Sequence, residues 1–417
     1  MAIVRPFRAI RPRKELAEKV AALPYDVMSS EEAREMVQHN PYSFLHVDKA
    51  EIDLPEDTDI YDKKVYEKAN RNLQDMIDKG IFFQEDKAKL YIYRLIMKGR
   101  AQTGIVACAS IDEYCENKIK KHEFTRADKE TDRINHVDYC DANTGPIFLT
   151  YRSKKEINEI VEAETQKQPE YSFVAEDGVE HIVWVLKQEE TVLKLEEYFK
   201  EVKSLYIADG HHRAASAVKV GQLRREENPN YTGEEEFNFF LSVIFPDKDL
   251  YIMDYNRVVK DLNGLTVEQY LQQVSEKFEI QEHTGDGPYK PSAKGTYGMY
   301  VDGKWFKLSA KEGIVNLTHP VEGLDVSVLQ NNILRPILGI EDPRTDSRID
   351  FIGGIRGLEA LRRKVDKGEM KIAFSMCPTT IQELMKISDA GEIMPPKSTW
   401  FEPKPRSGLF VHKLKEK

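Results

Sequence analysis

Five consecutive residues, Asp209-Gly210-His211-His212-Arg213, concentrate most of the usable chemistry of this chain. They follow an apolar run, Leu205-Tyr206-Ile207-Ala208, and lead into Arg213-Ala-Ala-Ser-Ala-Val-Lys219. That order predicts a buried strand, a sharp turn and a helix. A helix that starts there offers unpaired backbone N–H groups and the positive end of its dipole, which together attract an anion. Gly210 permits the sharp turn and a close approach of a ligand to the backbone. His211, His212 and Arg213 add donors, and the planar fork of arginine matches phosphate. Asp209 is out of place beside a phosphate. It reads as an N-cap, as a ligand for Mg²⁺, or as an acceptor from a substrate hydroxyl, which would make it catalytic. The turn is expected to bind the phosphates of a nucleotide.

A second group lies at Lys120-Lys-His-Glu-Phe-Thr-Arg-Ala-Asp-Lys-Glu-Thr-Asp-Arg133. With a helix beginning near Ala127, Lys129 and Arg133 fall at i,i+4 and form a second candidate phosphate clamp. The same pattern suits an exposed helix whose cations are neutralised by Glu130 and Asp132. Glu123 is the candidate general base for a substrate hydroxyl. A third group is the Pro-rich segment Met394–Gly408, too polar for an element interior yet carrying Trp400 and Phe401. Lys397, Ser398, Thr399 and Lys404 could close over a nucleotide from this loop, or the loop could simply be pinned by its aromatics. Asp26, in Leu23-Pro-Tyr-Asp-Val27, could be catalytic or cap a turn, and reads as structural.

The elements that must position these groups alternate between helix and strand, so the class is α/β or mixed α+β. Ser29 and Glu32 form a capping-box pattern, opening a helix that runs to about His39. Val65, Ala69, Leu73, Met76 and Ile77 keep helical spacing, and Gly80 ends that helix. Leu90–Met97 and Thr103–Ser110 read as strands of a hairpin. Helices are expected at Lys14–Ala22, Ile157–Glu164, Val192–Phe199, Arg213–Arg225, Val267–Phe278, Ser327–Leu338, Gly357–Lys364 and Thr380–Ser388. Strands are expected at His181–Lys187, Phe239–Phe245, Leu250–Asn256, Met370–Met376 and Leu409–Leu414, with a hairpin at Tyr297–Leu308. The expected division is a nucleotide-binding core over 1–260 and a second α+β region over 261–417, whose C-terminal loop could pack back on the core.

With 417 residues the chain is too long for one ordinary core. Its 41% hydrophobic and 32% charged content is that of a folded protein. No stretch approaches the roughly 20 apolar residues of a membrane helix, and the first residues carry no apolar signal region. Four cysteines without C-x-x-C spacing argue against a zinc knuckle and fit reduced thiols in a cytoplasmic protein. A net charge of −10 disfavours nucleic acid as a partner. A homo-oligomer is compatible with all of this.

Asp-Gly-His-His-Arg at a strand–helix turn resembles the phosphate-binding turn of the ParB/sulfiredoxin-like superfamily, in which a Gly-x-x-Arg pattern recurs. Free-serine kinases of that superfamily share Asp-Gly-His-His-Arg. Over its length the chain is similar to a family of roughly 400-residue bacterial and archaeal proteins of unknown function. Leu23-Pro-Tyr-Asp-Val27, Asn40-Pro-Tyr-Ser-Phe-Leu45, His122-Glu123, Pro146-Ile-Phe148 and Met394–Lys404 carry that likeness. The resemblance implies a superfamily-type nucleotide-binding core and a kinase that uses ATP or ADP with Mg²⁺. Free L-serine would be the acceptor and O-phospho-L-serine the product. By this reading Glu123, Asp209 and His212 are catalytic. Gly210, His211, His212, Arg213, Lys129, Arg133 and Lys397 bind the nucleotide, and Asp209 holds the metal. His211 stands where sulfiredoxins carry their cysteine, so their chemistry is excluded. The alternatives are a nucleotide-binding switch without phosphoryl transfer, as in ParB proteins, and a phosphatase.

Overall fold

The computed structural model describes residues 2–415. The chain has mixed α and β structure and divides into two units. One is Met1–Leu250 with Pro403–Lys417, and the other is Tyr251–Glu402. The first unit is discontinuous and takes back the end of the chain.

The first unit is built on a mixed sheet. Its strands run Ile119–Lys120, Leu205–Asp209, Ile147–Tyr151, Phe239–Pro246, Arg100–Ser110, Tyr91–Met97, Glu180–Val185 and Tyr171–Val174, with Val4–Arg5 pairing on Arg100–Ser110. Phe239–Pro246, apolar but for Ser242, is buried at every position, as a mid-sheet strand should be. It pairs parallel with Ile147–Tyr151 and antiparallel with Arg100–Ser110. The tight turn between Tyr91–Met97 and Arg100–Ser110 is made by Lys98 and Gly99, both at positive φ.

Three helices carry the functional groups or their support. Lys63–Asp78, Ala127–Cys140 and His211–Glu227 pack in series, the middle one against both others. His211–Glu227 packs on the sheet through small residues, including Ala214 and Ala217, both buried. The Ser29–Glu32 capping box forms with both of its hydrogen bonds, and the helix it opens spans Ser30–Val37.

The second unit holds an antiparallel sheet in the order Phe278–Glu282, Lys304–Ala310, Thr296–Val301, Ile372–Ser375, Tyr255–Val259 and Ile349–Gly353. Helices Val267–Ser275, Glu359–Asp366 and Ile381–Asp389 belong to it. The expected helix Ser327–Leu338 is instead an α-helix at Asp325–Leu329 that widens to i→i+5 bonding over Gln330–Leu334. Lys14–Ala22 is a 3₁₀ turn followed by the single α-helical turn Ala17–Val20. Of the expected strand Leu409–Leu414, only His412–Lys413 pairs as a strand, with Ala142–Asn143, and Val411 bridges Ile10. This segment is held by burial more than by a ladder: Leu409, Phe410 and Val411 are fully enclosed.

Candidate functional site

The strand Leu205–Asp209 leaves the sheet through a register shift between Ile207 and Asp209. Such an irregularity re-aims the side chains that follow it. Gly210 then adopts φ +91°, a left-handed conformation that suits glycine, and the helix His211–Glu227 begins at the next residue. No side chain caps this 17-residue helix. Asp209 is therefore not its N-cap, because the capping position falls on Gly210.

Asp209 instead binds two cations. Arg213 Nη2 donates to its Oδ2 at 3.0 Å, and Lys404 Nζ lies 3.4 Å from its Oδ1. Burial would push the Asp209 carboxyl up, but Lys404 and Arg213 outweigh it and hold the pKa at about 2. Arg213 also donates from Nη1 to the Pro146 carbonyl at 2.5 Å, and its Nε is buried without a partner. A Cβ at Gly210 would lie 3.0–3.1 Å from the Arg213 guanidinium, so that glycine leaves the space the arginine folds into. With both oxygens facing cations, Asp209 does not by itself fit a Mg²⁺ site, which calls for several oxygen ligands.

The two histidines of the turn part company. His212 Nε2 accepts from the Arg126 N–H at 3.0 Å and so ties down the start of the helix Ala127–Cys140. Its pKa is lowered by burial, which keeps the ring neutral and able to accept. His211 is buried against His122, edge to face, with ring centroids 4.4 Å apart. Glu123 reaches the same place from an exposed position, with Oε2 3.6 Å from His211 Nδ1.

Lys129 and Arg133 do not form the expected clamp. Lys129 donates to the Tyr61 hydroxyl at 3.3 Å. Arg133 is buried, pairs with Asp132 and lies over the Tyr25 ring at 4.0 Å. Helical spacing puts both on one face, but the aromatic partners available to each differ, and the side chains diverge. Arg133 and Arg213 line a small pocket together with Tyr25, Asp48, His136 and Thr144. There the Thr144 hydroxyl donates to Asp48 Oδ1 at 2.7 Å, and His136 Nε2 is 3.6 Å from the same oxygen. Asp48 and His136 carry no local motif. Each sits among other polar residues, in Leu45–Asp48 and Ala127–Cys140, so nothing local singles it out.

Lys397 belongs to the second unit, where it sits at φ +56° near the Tyr255 ring, 5.7 Å from its centroid. The segment Met394–Gly408 is thus divided: residues through Glu402 belong to the second unit, and those from Pro403, including Lys404, to the first. Among the described residues, Glu123, Asp209, His211, Arg213 and Lys404 converge, while His212, Lys129 and Arg133 are engaged alongside them.

A family model described as a protein of unknown function, DUF1015, matches residues 4–327 of the chain. No curated protein matches the sequence. Among solved structures, a free serine kinase in complex with AMP is 15% identical, with 75% of this chain and 91% of that chain covered and a TM-score of 0.38. A conserved hypothetical protein from Pyrococcus furiosus is 16% identical over 74% of this chain and 95% of that one, with a TM-score of 0.36. SbnI with a C-terminal truncation from Staphylococcus aureus is 11% identical over 74% of this chain and 87% of that one, with a TM-score of 0.40.

Proposed function

We propose that this chain, which belongs to the DUF1015 family of proteins of unknown function, is a phosphotransferase that moves a nucleotide phosphate to a small hydroxyl acceptor. The acceptor is free L-serine, giving O-phospho-L-serine, and the donor is ATP or ADP. One observation carries the reading: a left-handed glycine leads into a long uncapped helix at a point where Arg213 and Lys404 gather. The first backbone N–H groups of that helix have no intrahelical partners. They and the two cations suit an incoming phosphate. The motif Asp-Gly-His-His-Arg, shared with free-serine kinases, supports the same assignment.

In this reading the phosphates rest on the backbone of Gly210–Arg213. Lys404 and Arg213 stabilise the charge that spreads over the transferring group, the main lever of this reaction. Asp209 positions both cations before the nucleotide arrives. His212 positions the helix Ala127–Cys140 by holding the Arg126 N–H. Glu123, exposed beside His211, takes the proton of the acceptor hydroxyl. A Mg²⁺ ion bound with the nucleotide would supply neutralisation of its phosphate charge.

The test is to incubate the full-length protein with Mg²⁺, L-serine and either ATP or ADP and to record phosphorus NMR. A phosphomonoester signal matching O-phosphoserine is expected, and its presence with one donor alone identifies that donor. Nucleotide binding without a phosphorylated product would sink the transferase reading and favour a nucleotide-dependent switch.

A further inference from the structure

The phosphate turn uses its backbone and its cations, and it leaves two buried imidazoles without an assigned purpose. His122 is 2% exposed and His211 4%. The His122 ring is hydrogen-bonded to the Ile207 backbone, whereas its Nδ1 is buried with no partner. A ring that donates its one N–H to a carbonyl presents a bare lone pair on the other nitrogen. A buried polar atom in that state calls for a water, an ion or a ligand. The same arrangement, one ring nitrogen on a backbone carbonyl and the other free, orients histidines that bind metals.

Two more ligating groups lie close by, and one of them, His211, also faces the His122 backbone N–H through Nε2 at 3.5 Å. Ligand atoms of His122, Glu123 and His211 lie within 4.8 Å of one another. Around an ion with bonds of about 2 Å, ligand atoms sit at most about 4 Å apart, so the cluster must close by about 1 Å. Glu123 is the exposed member of the three, and His122 and His211 are the buried ones.

We propose that His122, Glu123 and His211 form a three-ligand site for a borderline divalent transition ion of the Zn²⁺ type. Two imidazoles and one carboxylate match such ions, whereas Mg²⁺ takes oxygen ligands. With three protein ligands, one coordination position is left for water or substrate. The site rests on these three side chains and not on the phosphotransfer reading. An ion held there occupies Glu123, so at any moment the site and the base role exclude each other.

The experiment uses the full-length chain, stripped with a chelator, without nucleotide. Zn²⁺ and, separately, Co²⁺ are titrated by calorimetry and visible absorption, with Mg²⁺ present in excess. One equivalent is expected to bind despite the Mg²⁺, and Co²⁺ should show the d–d bands of a protein-ligated ion. Glu123→Gln and His211→Gln should each weaken Zn²⁺ binding by about 10-fold or more. His39→Gln, at an exposed histidine elsewhere, should leave it unchanged. Glu123 is exposed, so its variant tests the ligand without disturbing packing, and thermal melting checks that both variants are folded. The proposal is overturned by no stoichiometric uptake, or by uptake that Glu123→Gln and His211→Gln leave intact. Because no nucleotide is present, neither result depends on whether the protein is a kinase.

Discussion

Arg213 donates to Asp209 and to the Pro146 carbonyl from two different nitrogens, and a lysine has no fork with which to do both. Arg213→Lys is therefore expected to behave much like Arg213→Ala and to lower turnover about 10²-fold, the usual scale for one preorganised donor. Steady-state rates of O-phosphoserine formation check this, and near-normal turnover in either variant would remove Arg213 from the mechanism. A second residue-scale prediction concerns the pocket pair Asp48 and His136. Burial pulls His136 down, but Cys140 and Asp48 outweigh it and hold its pKa at about 9, above the ordinary 6.5. A raised histidine contributes stability that is fully present below pH 6.5 and lost as pH rises through about 9. The melting temperature should fall over that window, and His136→Gln should start lower and show a flatter profile. Asp209 has the opposite sign. Its stabilising contribution is present above 3.8 and disappears as pH falls through about 2. Asp209, His211 and Arg213 were singled out as candidates by local spacing. Asp48 and His136 were not, because neither sits in a local pattern and their meaning comes from each other.

At the scale of elements, the strand–turn–helix depends on Gly210 and the packing of its helix on Gly221. An alanine at Gly210 would have to hold φ +91° and place a Cβ 3.0 Å from Arg213 Nε. Gly210→Ala is expected to weaken nucleotide binding at least 10-fold while leaving the far end of the helix intact, as titration calorimetry and circular dichroism would show. At Gly221 a Cβ would come within 2.4 Å of the Phe237 carbonyl oxygen and 2.7 Å of Ile111. Gly221→Ala should therefore destabilise the first unit by about 1–3 kcal/mol in a denaturant melt, despite the better helix propensity of alanine. The helix Ser30–Val37 was legible because its cap is local: Ser29 and Glu32 satisfy each other's backbone groups three residues apart. Lys129 and Arg133 illustrate the limit. Their spacing correctly places them on one helix, but Tyr61 and Tyr25, far off in sequence, draw the side chains apart.

For the whole molecule, the decisive feature is the return of the C-terminal segment to the first unit. Arg406 donates to His181 Nε2 at 3.3 Å and pairs with Asp177, and His412 Nε2 lies 2.6 Å from Glu236 Oε2. With Leu409, Phe410 and Val411 fully buried, deleting 403–417 removes core as well as Lys404. The truncated chain is expected to lose the cooperative melt of the first unit. If it instead melts like the full-length protein, the segment is not part of that core. By contrast, Lys404→Met keeps the aliphatic stem and should spare the fold while reducing turnover. Among the described residues, no helix is long and apolar enough to cross a membrane.

The sequence by itself determined the alternation of helices and strands, the capping box at Ser29, the hairpin turn at Lys98-Gly99 and the sharp turn at Gly210. Each is settled by backbone geometry and periodicity within a few residues, so the information is local. Only the tertiary structure decided that Asp209 faces Arg213 and Lys404, that His122 meets His211 and Glu123, and that Asp48 pairs with His136. Lys404 lies far in the chain from Asp209, His211 from His122 and Glu123, and His136 from Asp48. They meet because a mixed sheet brings distant strands side by side, and the charge state of each group then depends on burial and on neighbours no local window contains.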